Sequence, residues 1–376
     1  MNPLLELRNQ GQSVWLDYIS RGLIAGGGLH SMIEDDGLRG VTSNPTIFEK
    51  AIDSGTDYDA RLAELVARNP DSGAQQNYDE LVIEDVRAAA DALRLRYEEN
   101  SGADGFVSLE PPPQTTGDTA AILAEARRLW QAVSRPNLMI KVVATPAGVK
   151  AVDTLISEGI NVNITLMFSM RHYEAVTSAY IRGLERCSRP EKVASVASFF
   201  VSRVDTQVDK ALEANGSRDA LALRGRIAIA NAKMVYRRFR EIFHGDAFRA
   251  LRERGARVQR PLWASTSTKN PQYRDVLYVE ELIGPETVNT LPLPTLEEFR
   301  EHGRVRSATV LEGWADAERE LGKLAGLGID LEAIAERLQV DGVESFAESY
   351  SKVMAALERK RETMIPARRS SGGGSH

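Results

Sequence analysis

Asn137-Leu-Met-Ile-Lys-Val-Val-Ala-Thr-Pro-Ala-Gly148 is a short apolar run that passes directly into a helix start. Residues 137–143 read as a buried β-strand, because a continuous apolar run of this length suits a strand covered on both faces. Thr145 then offers an N-cap and Pro146 a first helical residue. Val149, Val152, Leu155 and Ile156 follow at helical spacing, and Gly159 ends the helix. Ile160–Met167 is the next strand, about Ser169–Leu184 the next helix, and Val193–Phe200 another strand. Repeated strand–helix–strand units imply a parallel sheet with helices outside it.

Working outward, five more strands are expected at Val14–Asp17, Gly37–Thr42, Gly105–Glu110, Pro261–Thr266 and Thr287–Leu291. Eight such units favour a (β/α)8 TIM barrel over an open doubly wound sheet. The connections at about 43–104 and 204–259 are long and mostly helical, with Asp79–Tyr97 and Ala220–Phe243 the clearest helices. They read as additional helices on one barrel domain spanning 1–369, with a final helical segment at 325–365 packed on it. The last residues, Ser370-Ser-Gly-Gly-Gly-Ser-His376, read as an appended tail and are left out of the fold.

Lys141 is the lone charge in the quoted strand. An ammonium prefers water, so a buried one should lose proton affinity and become a nucleophilic amine suited to a Schiff base with a carbonyl. The commoner arrangement for one such segment is a strand-end lysine whose stem packs while its head reaches solvent. The strand at 160–167 adds to the first reading. Alternation puts Asn161, Asn163, Thr165 and Met167 on one face and Val162, Ile164 and Leu166 on the other. The apolar set should face the helices and the polar set the barrel interior, which opens at the C-terminal mouth into the site.

Other strand ends supply further groups. Glu110 closes its strand ahead of Pro111-Pro-Pro113, and Asp17 closes the first. Ser198 shares a face with Val196 and Phe200. Each reads equally as a cap or loop residue, yet an acid and a hydroxyl near an amine could relay protons during imine formation. Thr42-Ser-Asn-Pro45 leads into a helix. Asn44 is a good N-cap there, and at the same mouth it could bind a substrate hydroxyl or carbonyl. Arg203 and Lys269 follow later strands and could hold a phosphate, against the commoner reading of solvated surface charges.

Composition excludes several classes. The net charge is −6, which gives no general nucleic-acid footprint. Cys187 is the single cysteine, so there is neither an intrachain disulfide framework nor a cysteine metal site, and its place at a helix end reads as structural. The histidines show no standard paired metal spacing, which disfavours a metal-dependent aldolase. His172, at a helix start, reads as structural. Gly26-Gly-Gly28 lacks both the Walker lysine and the dinucleotide spacing. There is no signal peptide and no apolar run of membrane-spanning length, so a cytoplasmic protein is expected, with no nucleic-acid or membrane partner.

Taken together, Trp15-Leu-Asp17, Gly40-Val-Thr-Ser-Asn-Pro-Thr-Ile-Phe48, Glu110, Ile140-Lys141, Gly159-Ile-Asn-Val-Asn-Ile-Thr165 with Phe168-Ser169, and Ser198-Phe-Phe-Val-Ser-Arg203 resemble the transaldolase family in its longer bacterial form. The resemblance covers most of the chain, in order. It implies a circularly permuted class I aldolase barrel whose Schiff-base lysine is Lys141 on the fourth strand. It implies that Asp17 removes a hydroxyl proton to cleave the carbon–carbon bond, and that Glu110 and Thr165 position a proton-carrying water. Asn44 and Asn163 would hold a dihydroxyacetone unit, with Thr42 and Ser198 lining the pocket and Arg203 as the main phosphate ligand. Lys269 stands where the family more often has arginine, and the triple proline after Glu110 also departs from the commoner form.

The implied donors are fructose 6-phosphate and sedoheptulose 7-phosphate, and the acceptors erythrose 4-phosphate and glyceraldehyde 3-phosphate, in the non-oxidative pentose phosphate pathway. No cofactor and no metal is implied, since the imine is the electron sink. A fructose-6-phosphate aldolase-like lyase and a non-catalytic sugar-phosphate-binding barrel remain as alternatives. The oligomeric state stays open, a homo-oligomer included.

Overall fold

The computed structural model describes residues 2–53 and 55–364. Eight parallel strands close into a barrel in chain order: β1 (Gln12–Leu16), β2 (Gly40–Thr42), β3 (Phe106–Leu109), β4 (Leu138–Val143), β5 (Val162–Met167), β6 (Ser195–Phe200), β7 (Arg260–Ala264) and β8 (Thr287–Leu291). All eight expected strands are present, with ends moved by at most three residues. The strands are short apolar runs buried on both faces, the pattern that parallel strands under covering helices produce.

The register carries one inward face around the barrel. Trp15 stands opposite Gly40 and Thr290, Lys141 opposite Asn163, Asn163 opposite Val196, and Ser198 opposite Leu262. Gly40 is required here, since a Cβ on it would stand 2.4 Å from the Trp15 ring. At the N-terminal end the interior is closed by polar groups that satisfy one another. Trp15 Nε1 donates to Asp104 Oδ1 at 3.1 Å, Arg260 donates to Ser13 Oγ at 3.0 Å, and Ser13 donates to Asp104. Burying these groups without partners would be unfavourable. These bonds tie β1 and β7 to the segment before β3 across the lower interior.

β5 departs from simple alternation. Its pairing with β6 shifts from Ile164–Ala197 to Met167–Phe199, so β5 holds one residue more, and Leu166 has φ 57°. This β-bulge puts Met167 in register with Phe199, on the helix-facing side, rather than in the interior where strict alternation places it. Asn161, expected on the inward polar face, works at the strand entrance. Its amide donates to the carbonyls of Pro136 and Leu138 at 2.9 and 3.0 Å and accepts from Ala194 N–H at 2.9 Å.

The two long connections are helical as expected, with different breaks. Residues 43–104 form helices Pro45–Asp53, Asp59–Arg68, Ala74–Ala92 and Arg94–Glu99. The expected helix Ala220–Phe243 is two helices, Arg218–Leu221 and Ile227–Phe243, because Gly225 between them adopts φ 69°. The final segment, expected at 325–365, is the helix Leu331–Met364, parted near Gly328 (φ 76°) from a preceding helix Trp314–Gly326. The 34-residue last helix lies against the C-terminal mouth of the barrel, where Gln339 donates to the carbonyls of Ala144 and Leu166. The tail 370–376 lies outside the described residues. No helix among the described residues is long and apolar enough to cross a membrane.

Candidate active site

Lys141 points inward from the middle of β4 and is 5% exposed. Three features compensate its charge. Its Nζ donates to the Ser43 carbonyl at 3.0 Å and lies 2.9 Å from Glu110 Oε2 in an ion pair. It also stands 5.8 Å from the centroid of the Phe346 ring, whose face attracts cations. The bland arrangement, with the head in solvent, is not adopted. β4 sits in the sheet with both flanks paired, and the Lys141 stem has only the interior to enter.

Two carboxylates flank the lysine. Glu110 follows β3, held at the mouth because Pro111 cannot extend the ladder. Burial pushes the Glu110 carboxyl up, the Lys141 cation opposes this, and Asp17 adds to the rise. Asp17 follows β1 and lines the cavity. Burial pushes it up as well, against the Lys141 cation, a hydrogen bond from Thr42 and the charge of Arg203. Two acids raised in this way around one amine are suited to holding and returning protons.

A ring of polar groups surrounds them. Thr42 Oγ1 donates to Asp17 Oδ1 at 2.7 Å and in turn meets Thr290 Oγ1 at 2.7 Å, which fixes the Asp17 carboxylate. Asn44 Oδ1 accepts the Ile47 N–H at 3.0 Å, so it caps the helix Pro45–Asp53 and also lines the cavity. Asn163 is fully buried. Its amide donates to Ser108 Oγ at 2.9 Å and accepts from Ser198 Oγ at 2.6 Å, so it stands behind Ser198, which lines the cavity. Thr165 lines the same cavity, and its Oγ1 is buried without a hydrogen-bond partner among the described residues. A buried hydroxyl left in this way is the kind of group that a water or ligand satisfies.

The cavity holds about 160 Å³. Asp17, Lys141 and Thr165 lie on its walls, and Arg203 and Lys269 line it as well. Arg203 starts the helix after β6 and lies 5.2 Å from the Phe200 centroid. It makes no ion pair among the described residues, and burial pushes its guanidinium down. Lys269 is exposed, donates to Ser267 Oγ at 2.6 Å, and is pushed down by partial burial and by the neighbouring charges of Arg203 and Lys50. Cations gathered where no carboxylate among the described residues forms an ion pair with Arg203 fit an anionic group such as a phosphate.

All ten residues singled out in the sequence therefore converge on one end of the barrel. Several lining residues escaped the sequence reading, Thr290 and Phe346 among them. Thr290 carried a usable signal, since it alternates inward on β8 with Val288. Phe346 carried none, because an apolar residue in a helical stripe reads as core. It arrives on the last helix, far along the chain from every strand but beside Lys141 in space, and that helix is fastened at several points. Besides Gln339, His172 Nε2 meets Glu336 Oε1 at 2.8 Å, and Ser349 meets Thr46 at 2.8 Å. His172 is thus structural, as expected, and so is Cys187, buried at the end of helix Met170–Arg186.

Comparison with known proteins agrees with this geometry. The family described as Transaldolase/Fructose-6-phosphate aldolase matches residues 14–357. A protein named transaldolase from Thiobacillus denitrificans is 47% identical over 362 residues, which cover 95% of this chain and 100% of that one. Transaldolases of Mycolicibacterium paratuberculosis and Mycobacterium marinum are each 45% identical, over 365 and 369 residues, covering 96% of this chain and 97% and 98% of theirs. The chain belongs to the transaldolase/fructose-6-phosphate aldolase family.

Proposed function

We propose that this enzyme is a transaldolase that carries a dihydroxyacetone unit from a ketose phosphate to an aldose phosphate through an imine on Lys141. The observation that carries the reading is the Lys141 amine, buried in the barrel interior and paired at 2.9 Å with Glu110. A proton passed from Nζ to Glu110 leaves an amine that attacks the ketose carbonyl. Glu110 then returns a proton to the carbinolamine hydroxyl, which departs as water and leaves the iminium. A water held between Glu110 and the unpartnered Thr165 hydroxyl is a suitable carrier for these transfers.

Cleavage follows from the acid at the other side. Asp17 takes the proton of the C4 hydroxyl, the C3–C4 bond breaks, and its electron pair moves into the iminium to give a neutral enamine and a free aldose phosphate. An acceptor aldehyde then enters, and the same steps run backward. Asn44 and Asn163, the latter with Ser198, hold the hydroxyls of the three-carbon unit, and Thr42 keeps Asp17 oriented. Arg203, with Lys269, takes the phosphate. Fixing the unit in a small cavity favours attack by an aldehyde over release.

Donors of the fructose 6-phosphate and sedoheptulose 7-phosphate type fit this site, with erythrose 4-phosphate and glyceraldehyde 3-phosphate as acceptors. Such substrates belong to the cytoplasm and to the non-oxidative pentose phosphate pathway. Residues 1–369 would act as one catalytic unit. The test is product analysis with fructose 6-phosphate and erythrose 4-phosphate. Sedoheptulose 7-phosphate is expected as the main product; free dihydroxyacetone in its place would assign an aldolase, and no turnover would assign a sugar-phosphate-binding barrel.

A further inference from the structure

The segment 265–276 joins β7 to the helix Leu277–Glu281 and brings Lys269 to the cavity, yet it consists of turns and bends with no helix or strand of its own. Lys269 and Arg203 share the cavity rim, and the charge of Arg203 acts on Lys269 unfavourably. Without an anion between them, two like charges push an irregular loop outward. A set of contacts outside the cavity opposes that push.

Most of these contacts join the loop and the helix that follows it to one helix, Ser202–Asn215, whose first turn carries Arg203. At its base, Ser202 N–H donates to the Ser265 carbonyl at 3.0 Å, and the two hydroxyls meet at 2.9 Å. Within the loop, Thr268 Oγ1 contacts the carbonyls of Arg274 and Asp275 at 2.9 and 3.0 Å, closing it on itself. At its far end, Tyr273 donates its hydroxyl to Asp209 Oδ2 at 2.7 Å, and Tyr278 donates to Asp205 Oδ2 at 2.9 Å. Asp205 and Asp209 lie one turn apart on the helix.

The Tyr273 ring has a built seat. Gly225 donates its N–H to Asp209 Oδ1 at 3.0 Å, and a Cβ on Gly225 would stand 2.8 Å from Tyr273 Cζ. The break in the expected helix Ala220–Phe243 thus makes room for this ring. Neither Tyr273 nor Asp209 lines the cavity that holds Lys141.

We propose that Tyr273, through its hydrogen bond to Asp209, is a positioning residue for the phosphate end of the substrate: it clamps the Lys269 loop to the Arg203 helix so that two mutually repelling cations are held ready for a sugar phosphate. The proposal rests on the reading of Arg203 and Lys269 as the phosphate site. A clamp of this kind lowers the ordering that the substrate must impose on the loop, so its effect falls on binding of the phosphorylated substrate.

The experiment is Tyr273→Phe, which removes one oxygen and keeps the ring on Gly225, with Asp209→Asn weakening the same bond from the other side. Both variants are expected to raise the KM for fructose 6-phosphate and the inhibition constant of inorganic phosphate about three- to tenfold, the net worth of one ordinary hydrogen bond. The kcat at saturation and the KM for unphosphorylated fructose are expected to hold. Equal changes in KM for fructose and its phosphate, or no change in either, would overturn the clamp. Arg203→Ala separates the two levels: if it leaves the KM for fructose 6-phosphate unchanged, the phosphate-site reading fails, whereas a large rise there with no effect of Tyr273→Phe refutes the clamp alone.

Discussion

Lys141 occupies a position where an uncompensated charge would be strongly unfavourable. Glu110, the Ser43 carbonyl and the Phe346 face together make it tolerable. Replacing Glu110 alone leaves the cation with only the last two. The proton-transfer role is separable from that electrostatic one. Glu110→Gln keeps the shape and a polar contact but cannot accept a proton. Imine exchange, followed as solvent oxygen uptake into the ketose carbonyl, is expected to slow about 100-fold, the usual span of one general acid–base group. Competition by inorganic phosphate should stay near the wild-type value; loss of that competition with normal exchange would contradict the role. Lys141 was legible because one charge in an apolar run is conspicuous. Asn163 was legible by alternation as an inward polar residue, while its bonds to Ser108 and Ser198 depend on strands far away in sequence.

Among the elements, the strands were the most legible and the last helix the least. A strand buried on both faces announces itself as an apolar run between turn residues, and all eight were found in this way. The β5 bulge was hidden, since nothing in Ile164-Thr-Leu-Met167 marks Leu166 for a positive φ. The site role of the last helix was hidden too, because a helical pattern does not say which end of a barrel it covers. That helix presents Gln339, Gly342 and Phe346 along one face. A Cβ on Gly342 would lie 2.9 Å from Leu166 Cδ2, beside the bulge itself. Gly342→Val should therefore lift the helix and withdraw Phe346 from Lys141. We expect a stability loss of about 1–3 kcal/mol, as for other overpacked contacts, read by thermal melting. The fraction of donor turnover that ends as free dihydroxyacetone should rise as water gains access to the imine. A stability loss with an unchanged product ratio would mean that the helix only supports the fold.

At the scale of the whole molecule, charge and topology act together. The chain carries a net charge of −6, yet Arg203 and Lys269 both line the cavity at the mouth. On the proposed reading, an anionic substrate would meet cations at the rim and, inside, a lysine between two raised carboxyls. At the other end Trp15, Asp104 and Arg260 bond to one another across the interior. Closure by eight parallel units was legible from their count. The meeting of β1, β2, β4, β5 and β6 groups at one cavity followed from that closure, since each sits at or near the mouth end of its strand. Whether the amine bonds to the substrate is the decisive point, and it can be measured directly. The chain is incubated with fructose 6-phosphate, reduced with borohydride, digested and analysed by mass spectrometry. The imine mechanism predicts a reduced three-carbon or ketose phosphate adduct on the peptide containing Lys141, absent without donor and absent in Lys141→Ala, which should stay folded and inactive. An unmodified Lys141 after reduction, in a chain that still turns over donor, would contradict it.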